Sequence, residues 1–307
     1  MPVDSIDPVP PNSIVVATDG SDDADRAVGW AAEQAFLERR PLTVVTAAHG
    51  PEVPTAAWSA TSAMYSWDPG QALLDARAMA QEAADVALHV HPGLDVTVVA
   101  RIGDPRHVLV EISRDVPLLV LGSRGRGPLR SKLLGSVSAA VSRDAGCPVV
   151  VCRPQHQDER ARQGVLVGAD GTPESLPVVE FAFQQASLLN LPLTVVHAVW
   201  DEVGAVHGPV MVSPRETGLD QYRVLLGESV AGITSKYPEV RVDLRLARGM
   251  AEDCLSDTGA LWNLIVVGRH PVDSLLRLVT GAVATTVVER SHTTVAVVPQ
   301  ADPRVES

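Results

Sequence analysis

The clearest chemical pattern in this chain is carried by Gly122, Gly125, Gly135 and Ser136, in the segment GSRGRGPLRSKLLGS that follows the apolar run Leu118 to Leu121. Two residues separate the first pair of glycines and nine the next. Glycine lets a main chain approach a ligand or turn where a Cβ would collide, and neighbouring amides can form an anion-binding nest. A helix predicted to begin at Gly135 and Ser136 would add first-turn N–H groups that lack internal acceptors, with the positive end of its dipole behind them. Ser136 can cap that helix or bond a phosphate oxygen. Arg124, Arg126, Arg130 and Lys132 bring cationic charge into a chain whose formal net charge is -12. The chemistry so described is the holding of a polyphosphate, and the alternative is an ordinary Gly-Ser turn between a strand and a helix.

A second copy, GRHPVDSLLRLVTGA, keeps the spacing at Gly268 and Gly281 but places Pro271 and Ala282 where glycine and serine stood. Proline has no amide hydrogen and fixes φ near about -65°, so any left-handed glycine conformation would be lost there, and alanine removes the hydroxyl. Gly268 and Gly281 persist, and Thr280, Thr285 and Thr286 are available to compensate, so this copy is expected to bind more weakly. The repetition covers the whole chain. SIVVATDGS at Ser13 resembles GVLVGADGT at Gly164, and PLTVV recurs at Pro41 and Pro192, both offset by 151 residues; the later loops are offset by 146. One shortening of five residues between the second and fourth strands explains the difference. A period near half the chain means two copies of a whole domain rather than a solenoid, each large enough to bury its own core.

The acidic balance, without a basic block outside the loop around Arg124, disfavours generic nucleic-acid binding. Apolar runs fall well short of the roughly 20 residues of a membrane span, and the acidic, Pro-rich start lacks a signal peptide's basic and apolar regions; a soluble cytoplasmic protein is the expectation. Cys147, Cys152 and Cys254 are odd in number and match no Cys-x-x-Cys pattern, so buried reduced thiols are expected rather than disulfides or zinc.

Strand-like and helix-like patterns alternate in each half. In the first, runs at Ile14–Ala17, Leu42–Ala47, Val96–Ala100, Leu118–Leu121 and Pro148–Cys152 are separated by helical patterns over Asp22–Arg39, Gln71–Val90 and Arg106–Arg114 and from Ser136. Such alternation builds a parallel sheet covered on both faces, and ligands then sit beyond the carboxyl ends of the strands where the strand order switches. Asp19, Ala47 and Gly122 all fall at such ends. PQHQDERARQ, from Pro154 to Gln163, reads as a linker, giving domains at 12–154 and 164–300.

With ATDGS after the first strand and GxxGx9G[S/T] intact at Gly122, Gly125, Gly135 and Ser136, the chain resembles a tandem universal stress protein over nearly its whole length. The resemblance implies two tandem Rossmann-like domains of the adenine nucleotide alpha hydrolase-like architecture, each a five-stranded parallel sheet flanked by helices. It also implies that ATP, AMP or another adenine nucleotide is held at the loop, with Mg2+ accompanying ATP, in stress tolerance or growth control. Carried over, Ala17, Thr18 and Asp19 would lie near the ribose or phosphates and the main chain at Ala47 near the adenine edge. Gly122, Arg124, Gly125, Gly135, Ser136, Val137 and Ser138 would surround the phosphates. Asp170, Ala198, Gly268 and Gly281 are the counterparts in the second half. Asp19 has a further reading compatible with this one, as a carboxylate capping the turn that follows it. The family also pairs domains through their last strands, here Pro148–Cys152 and Thr294–Val298, which predicts an internal pseudo-dimer, with a homodimer of whole chains through other faces left open.

A regulatory nucleotide-binding module is the leading expectation, acting on a protein partner that the sequence does not identify. The alternatives are a slow ATPase and a nucleotide-free scaffold. Related pyrophosphatases carry an SGGxDS-type first loop where this chain has ATDGSDD, and no convincing general base accompanies the motif, so no catalytic residue is assigned. No metal ligands are assigned either: His89 and His91 read as a surface pair, and His197 as a hydrogen-bonded strand-end histidine. Trp58, Tyr65 and Trp67 read as a small satellite core, the alternatives being a cover over the pocket or packing on the partner domain.

Overall fold

The computed structural model describes residues 8–50, 67–125, 134–154, 163–256, 262–270 and 277–301, the last stretch without the side chains of 277–282. The chain divides into two compact units, Met1–Cys147 and Pro148–Ser307. No helix among the described residues is long and apolar enough to cross a membrane.

The first unit is built from β1 (Ile14–Ala17), α1 (Asp22–Glu38), β2 (Leu42–Ala48), α2 (Pro69–Val90), β3 (Val96–Ile102), α3 (Pro105–Ile112), β4 (Leu118–Gly122) and α4 (Ser136–Asp144). Its strands lie in the order β3-β2-β1-β4, all parallel, with Ile14 opposite both Leu42 and Leu118. Ile14, Val15 and Val16 are fully buried, as the unbroken apolar run requires of a strand covered on both faces. Alanine dominates the covering helices. α1 buries Ala24, Ala27, Ala31 and Ala35, and α2 buries Ala76, Ala80, Ala83, Ala84 and Ala87, the helical spacing of a single face. Small side chains let both helices lie close to the branched residues of the sheet.

The second unit contains β5 (Val149–Cys152), β6 (Val165–Gly168), a 3-10 turn at Pro173–Ser175, α5 (Leu176–Leu188), β7 (Leu193–Val199), α6 (Glu202–His207), β8 (Val210–Met211), α7 (Asp220–Thr234), β9 (Val242–Arg248), α8 (Ala251–Ser256), β10 (Leu264–Arg269), α9 (Arg277–Arg290) and β11 (Val295–Pro299). Five parallel strands, in the order β11-β10-β6-β7-β9, form its centre. β5 adds antiparallel to β11, with Val150 opposite Ala296, so the two closing strands that the sequence marked as edges do pair. Pairing removes the exposed apolar edge that either would otherwise present. The short β8, antiparallel to β9, has no counterpart in the expected strand set.

All three cysteines are buried. Burial, reinforced by Asp253 and Glu252, pushes the Cys254 thiol up to about 11, away from reactive thiolate. His91 stacks on Phe36 and lies 2.6 Å from Glu33 Oε2. Trp67 packs beside Gly50, while Trp58, Tyr65 and most of the linker lie outside the described residues.

Candidate functional site

The strand order of the first unit reverses between β1 and β4, and the loops leaving these two strands are tied together at that point. Gly20 is left-handed, with φ at 69°. This turn lets the Gly20 N–H reach Thr18 Oγ1 at 3.1 Å and the Ser21 N–H reach Asp19 Oδ1 at 3.1 Å. Ser21 then caps α1, accepting from Ala24 N–H at 3.3 Å, while its hydroxyl donates to the carbonyl of Arg124 at 3.3 Å. A second tie lies deeper. Ser123 donates to Asp23 Oδ2 at 2.6 Å, and Arg26 holds the other oxygen.

Each loop glycine has its own steric reason. A Cβ on Gly122 would sit 2.7 Å from the carbonyl carbon and oxygen of Asp23, so the glycine lets β4 pass against the first turn of α1. A Cβ on Gly125 would run into Asp19 Oδ2. Gly135 donates its N–H to the Ser123 carbonyl at 2.8 Å, closing the loop between them, and Ser138 Oγ donates to the Gly122 carbonyl at 2.7 Å. None of these three glycines is left-handed. Close approach, rather than permissive φ, explains them.

Helix α4 begins at Ser136 as expected, but Ser136 does not cap it. Gly135 is the N-cap and supplies no side chain. Ser136 is exposed and Val137 half-buried, and their amides belong to the first turn, whose N–H groups lack helical acceptors. The two helix N-termini at this crevice therefore differ in charge. α1 carries Asp22, Asp23 and Asp25 in its first turn, whereas α4 has no acidic residue and no capping side chain there. Arg124 adds a buried Nε donor with no hydrogen-bond partner among the described residues. An anion fits the α4 terminus and would be repelled at α1. Arg126, Arg130 and Lys132 lie outside the described residues.

Ala17 and Ala47 complete the arrangement. The β1–β2 ladder ends at Ala17 opposite Val45, followed by the Thr18 N–H bond to the Val45 carbonyl at 2.9 Å. In a parallel strand alternate residues bond to opposite neighbours, so Ala47 turns its main-chain groups to the β1 side, beyond the point where β1 has ended. That is the edge a planar heterocycle can bond.

The second unit repeats the plan with changed parts. β6 and β10 flank its switch point, and Ala198 lies past the β6–β7 ladder, which ends at Gly168 opposite Val196. His197 Nδ1 meets the Ala169 carbonyl at 2.9 Å, as Thr46 Oγ1 meets that of Thr18 at 3.1 Å, and the imidazole stacks on Tyr222. Gly281 does not reproduce Gly135. α9 starts at Arg277, so Gly281 falls in its second turn, where an amide bonds within the helix rather than to an anion. At Gly268 a Cβ would meet the Gln300 amide nitrogen at 3.0 Å and Val178 Cγ2 at 3.1 Å. Pro271 and the side chain of Ala282 lie outside the described residues.

Asp170 is held firmly. Its Oδ1 accepts from the Thr172 N–H at 2.8 Å and hydroxyl at 2.7 Å, and its Oδ2 from Gln300 Nε2 at 3.0 Å. Burial alone would raise its pKa, but the bonds from Thr172, Ser175 and Gln300 prevail and hold it below the ordinary carboxylate value. A depressed carboxylate contributes stability that is complete above its unfolded pKa, about 4, and is lost as pH falls through the folded value. Urea midpoints of the wild type should therefore fall between about pH 6 and about pH 3, and Asp170→Asn should make that fall shallower. Equal slopes would show that Asp170 does not titrate differently on folding.

The universal stress protein family model matches residues 11–153 and 162–299, one match for each half. The chain belongs to the universal stress protein family. A universal stress protein of Mycobacterium tuberculosis is 33% identical, with 94% of this chain and 97% of that protein covered. One from Mycolicibacterium smegmatis is 32% identical over 93% and 96% of the two chains. The crystal structure of a universal stress protein from Archaeoglobus fulgidus covers 95% of this chain and 97% of its own at a TM-score of 0.62 and 17% identity, a likeness of fold. The two halves matched by the family model thus have switch points built from different residues. Sequence reading missed the ties of Asp23 to Ser123 and of Ser21 to Arg124, and it missed Gln300 altogether. A serine directly after the first loop glycine was the one available signal for the first of these.

Proposed function

We propose that the first unit binds an adenine nucleotide, ATP or AMP, and that occupancy makes the protein a regulatory module in stress response or growth control. The observation that carries this reading is the α4 N-terminus, uncapped and free of acidic residues, whose N-cap Gly135 lies beside Gly125, against which Asp19 of the β1–α1 loop is placed. Phosphates would lie against the amides of Gly125, Ser136, Val137 and Ser138, with Arg124 beside them. Asp19 would take a ribose hydroxyl, and the main chain at Ala47 the adenine edge. Mg2+ would enter with ATP, and the site's own donors would supply the rest of the charge balance. Asp19 is already bonded to the Ser21 amide, which suits orientation better than proton abstraction, so any ATP hydrolysis would be slow. The working domains of this reading are 12–154 and 164–300, in a cytoplasmic protein acting through a partner protein.

The direct test is to denature protein purified without added nucleotide, then identify and count what is released per chain by chromatography and mass spectrometry. About one adenine nucleotide per chain is expected, since among the described residues the uncapped, acid-free helix N-terminus beside the glycine loop belongs to the first unit. No release, together with a flat ATP titration by calorimetry, would end the proposal.

A further inference from the structure

Gln300 is the first residue after β11 and is only 9% exposed. Its main chain is fixed on both sides: its N–H donates to the Arg269 carbonyl at 2.9 Å, and the N–H of Ala301 donates to that of Glu174 at 2.9 Å. From this anchored position the carboxamide lies over Gly268, whose absent Cβ would fall 3.0 Å from Nε2 and 3.3 Å from Cδ. Nε2 then donates to Asp170 Oδ2 at 3.0 Å. The side chain thereby crosses from the end of β11 over β10 to Asp170, the second residue after β6, at the switch-point crevice of the second unit. Only the amide NH2 can donate to a carboxylate, so the orientation is settled, and it leaves Oε1 buried without a partner among the described residues.

We propose that Gln300 is an internal occupant of the second crevice, closing it to nucleotide by holding Asp170 across Gly268. The inference rests on the nucleotide reading given above, and it assigns the inequality of the two halves to a residue outside the glycine motif. Gly268 is retained because the carboxamide passes over it, so the surviving glycine reports Gln300 rather than a phosphate. β5 and β11 begin at Val149 and Val295; counted from there, the residue matching Gln300 is Pro154, which has no side-chain donor. The bonded state of Asp170 agrees with the latch, since Gln300 is among the groups that keep its acidity high. A ribose hydroxyl seeking Asp170 would have to displace Nε2 and leave a buried amide unpaired, weakening binding by about ten- to a hundredfold.

The test is photo-crosslinking of the full-length protein with 8-azido-ATP, followed by peptide mapping. Wild type should carry label mainly in first-unit peptides, with a low second-unit baseline. Gln300→Ala and Gln300→Asn should each raise second-unit label by about tenfold, the loss of one bonded buried amide, with first-unit label unchanged; asparagine, one methylene shorter, keeps a polar group while losing the reach. Second-unit label in wild type equal to that in the variants, or no gain in either variant, overturns the latch. Absent first-unit label counts against the nucleotide reading of that unit, while the latch is still judged by the second-unit peptides. A carbon-13 titration of Asp170 reads the same contact without nucleotide: its pKa rises in both variants, and an unmoved value overturns the contact.

Discussion

Gly125→Val should weaken nucleotide binding by roughly a hundredfold while leaving the fold intact. Gly125 is exposed, and no left-handed φ is required of it. The atom that a Cβ would strike is Asp19 Oδ2, the tip of a side chain that can rotate aside. Stability of ligand-stripped protein should therefore change by no more than about 0.5 kcal/mol, as for other surface substitutions. Binding is affected differently, because the valine methyls occupy the space between the Asp19 carboxylate and the α4 amides. Asp19, once displaced, no longer presents the geometry set by its bond to Ser21. Losing two charge-assisted contacts is expected to cost about 3 kcal/mol, or roughly a hundredfold in affinity. Calorimetric ATP titration and thermal denaturation of the same preparation separate the two quantities. A Gly125→Val protein that still copurifies with a full equivalent of nucleotide would show that the ligand does not lie in this loop. If stress or growth phenotypes fail along with binding, occupancy is the regulatory signal; if they survive, the pocket is vestigial.

What the sequence made legible is the part of the site that depends on local pattern. The β-branched runs gave the strands, the strand-end Asp19 and Asp170 were placed by the repeat, and the helix at Ser136 followed from the Gly-Ser step. Two kinds of information were not local. The start of α9 at Arg277, four residues before Gly281, depends on where a helix nucleates, and it overrides a Thr280-Gly281 step whose residue types could themselves cap a helix there. The use made of each glycine depends on what the fold brings to it. Gly122 and Gly268 share one motif position, yet one faces a helix backbone and the other the Gln300 carboxamide. Gln300 is far from Asp170 in sequence and sits in a polar stretch after a strand, where composition suggests only solvated chain. Its burial follows from β11 lying beside β10, a tertiary fact with no period or motif to announce it.

The same contrast sets the remaining prediction, in which Gly122→Val damages the fold before it touches a ligand. The carbonyl carbon and oxygen of Asp23 would lie 2.7 Å from the new Cβ, and the Ala24 nitrogen 2.9 Å. These are main-chain atoms in the first turn of α1 and cannot rotate away, so either the helix lifts off the sheet or β4 bends. Overpacking of this kind typically costs about 1–3 kcal/mol. Lifting α1 would also break the Ser123–Asp23 and Ser21–Arg124 bonds that join the two loops, adding about 1 kcal/mol for each. A fall of about 6–20 °C in the thermal midpoint is the expected outcome for a unit of this size. Gly268→Ala provides the internal comparison. Its new Cβ would meet the Gln300 amide and a Val178 methyl at 3.0 and 3.1 Å, side-chain atoms that can yield by a few tenths of an ångström, so its cost should stay near 1 kcal/mol. If the two variants melt together, the steric account of Gly122 is wrong, and that glycine must be explained by the ligand after all.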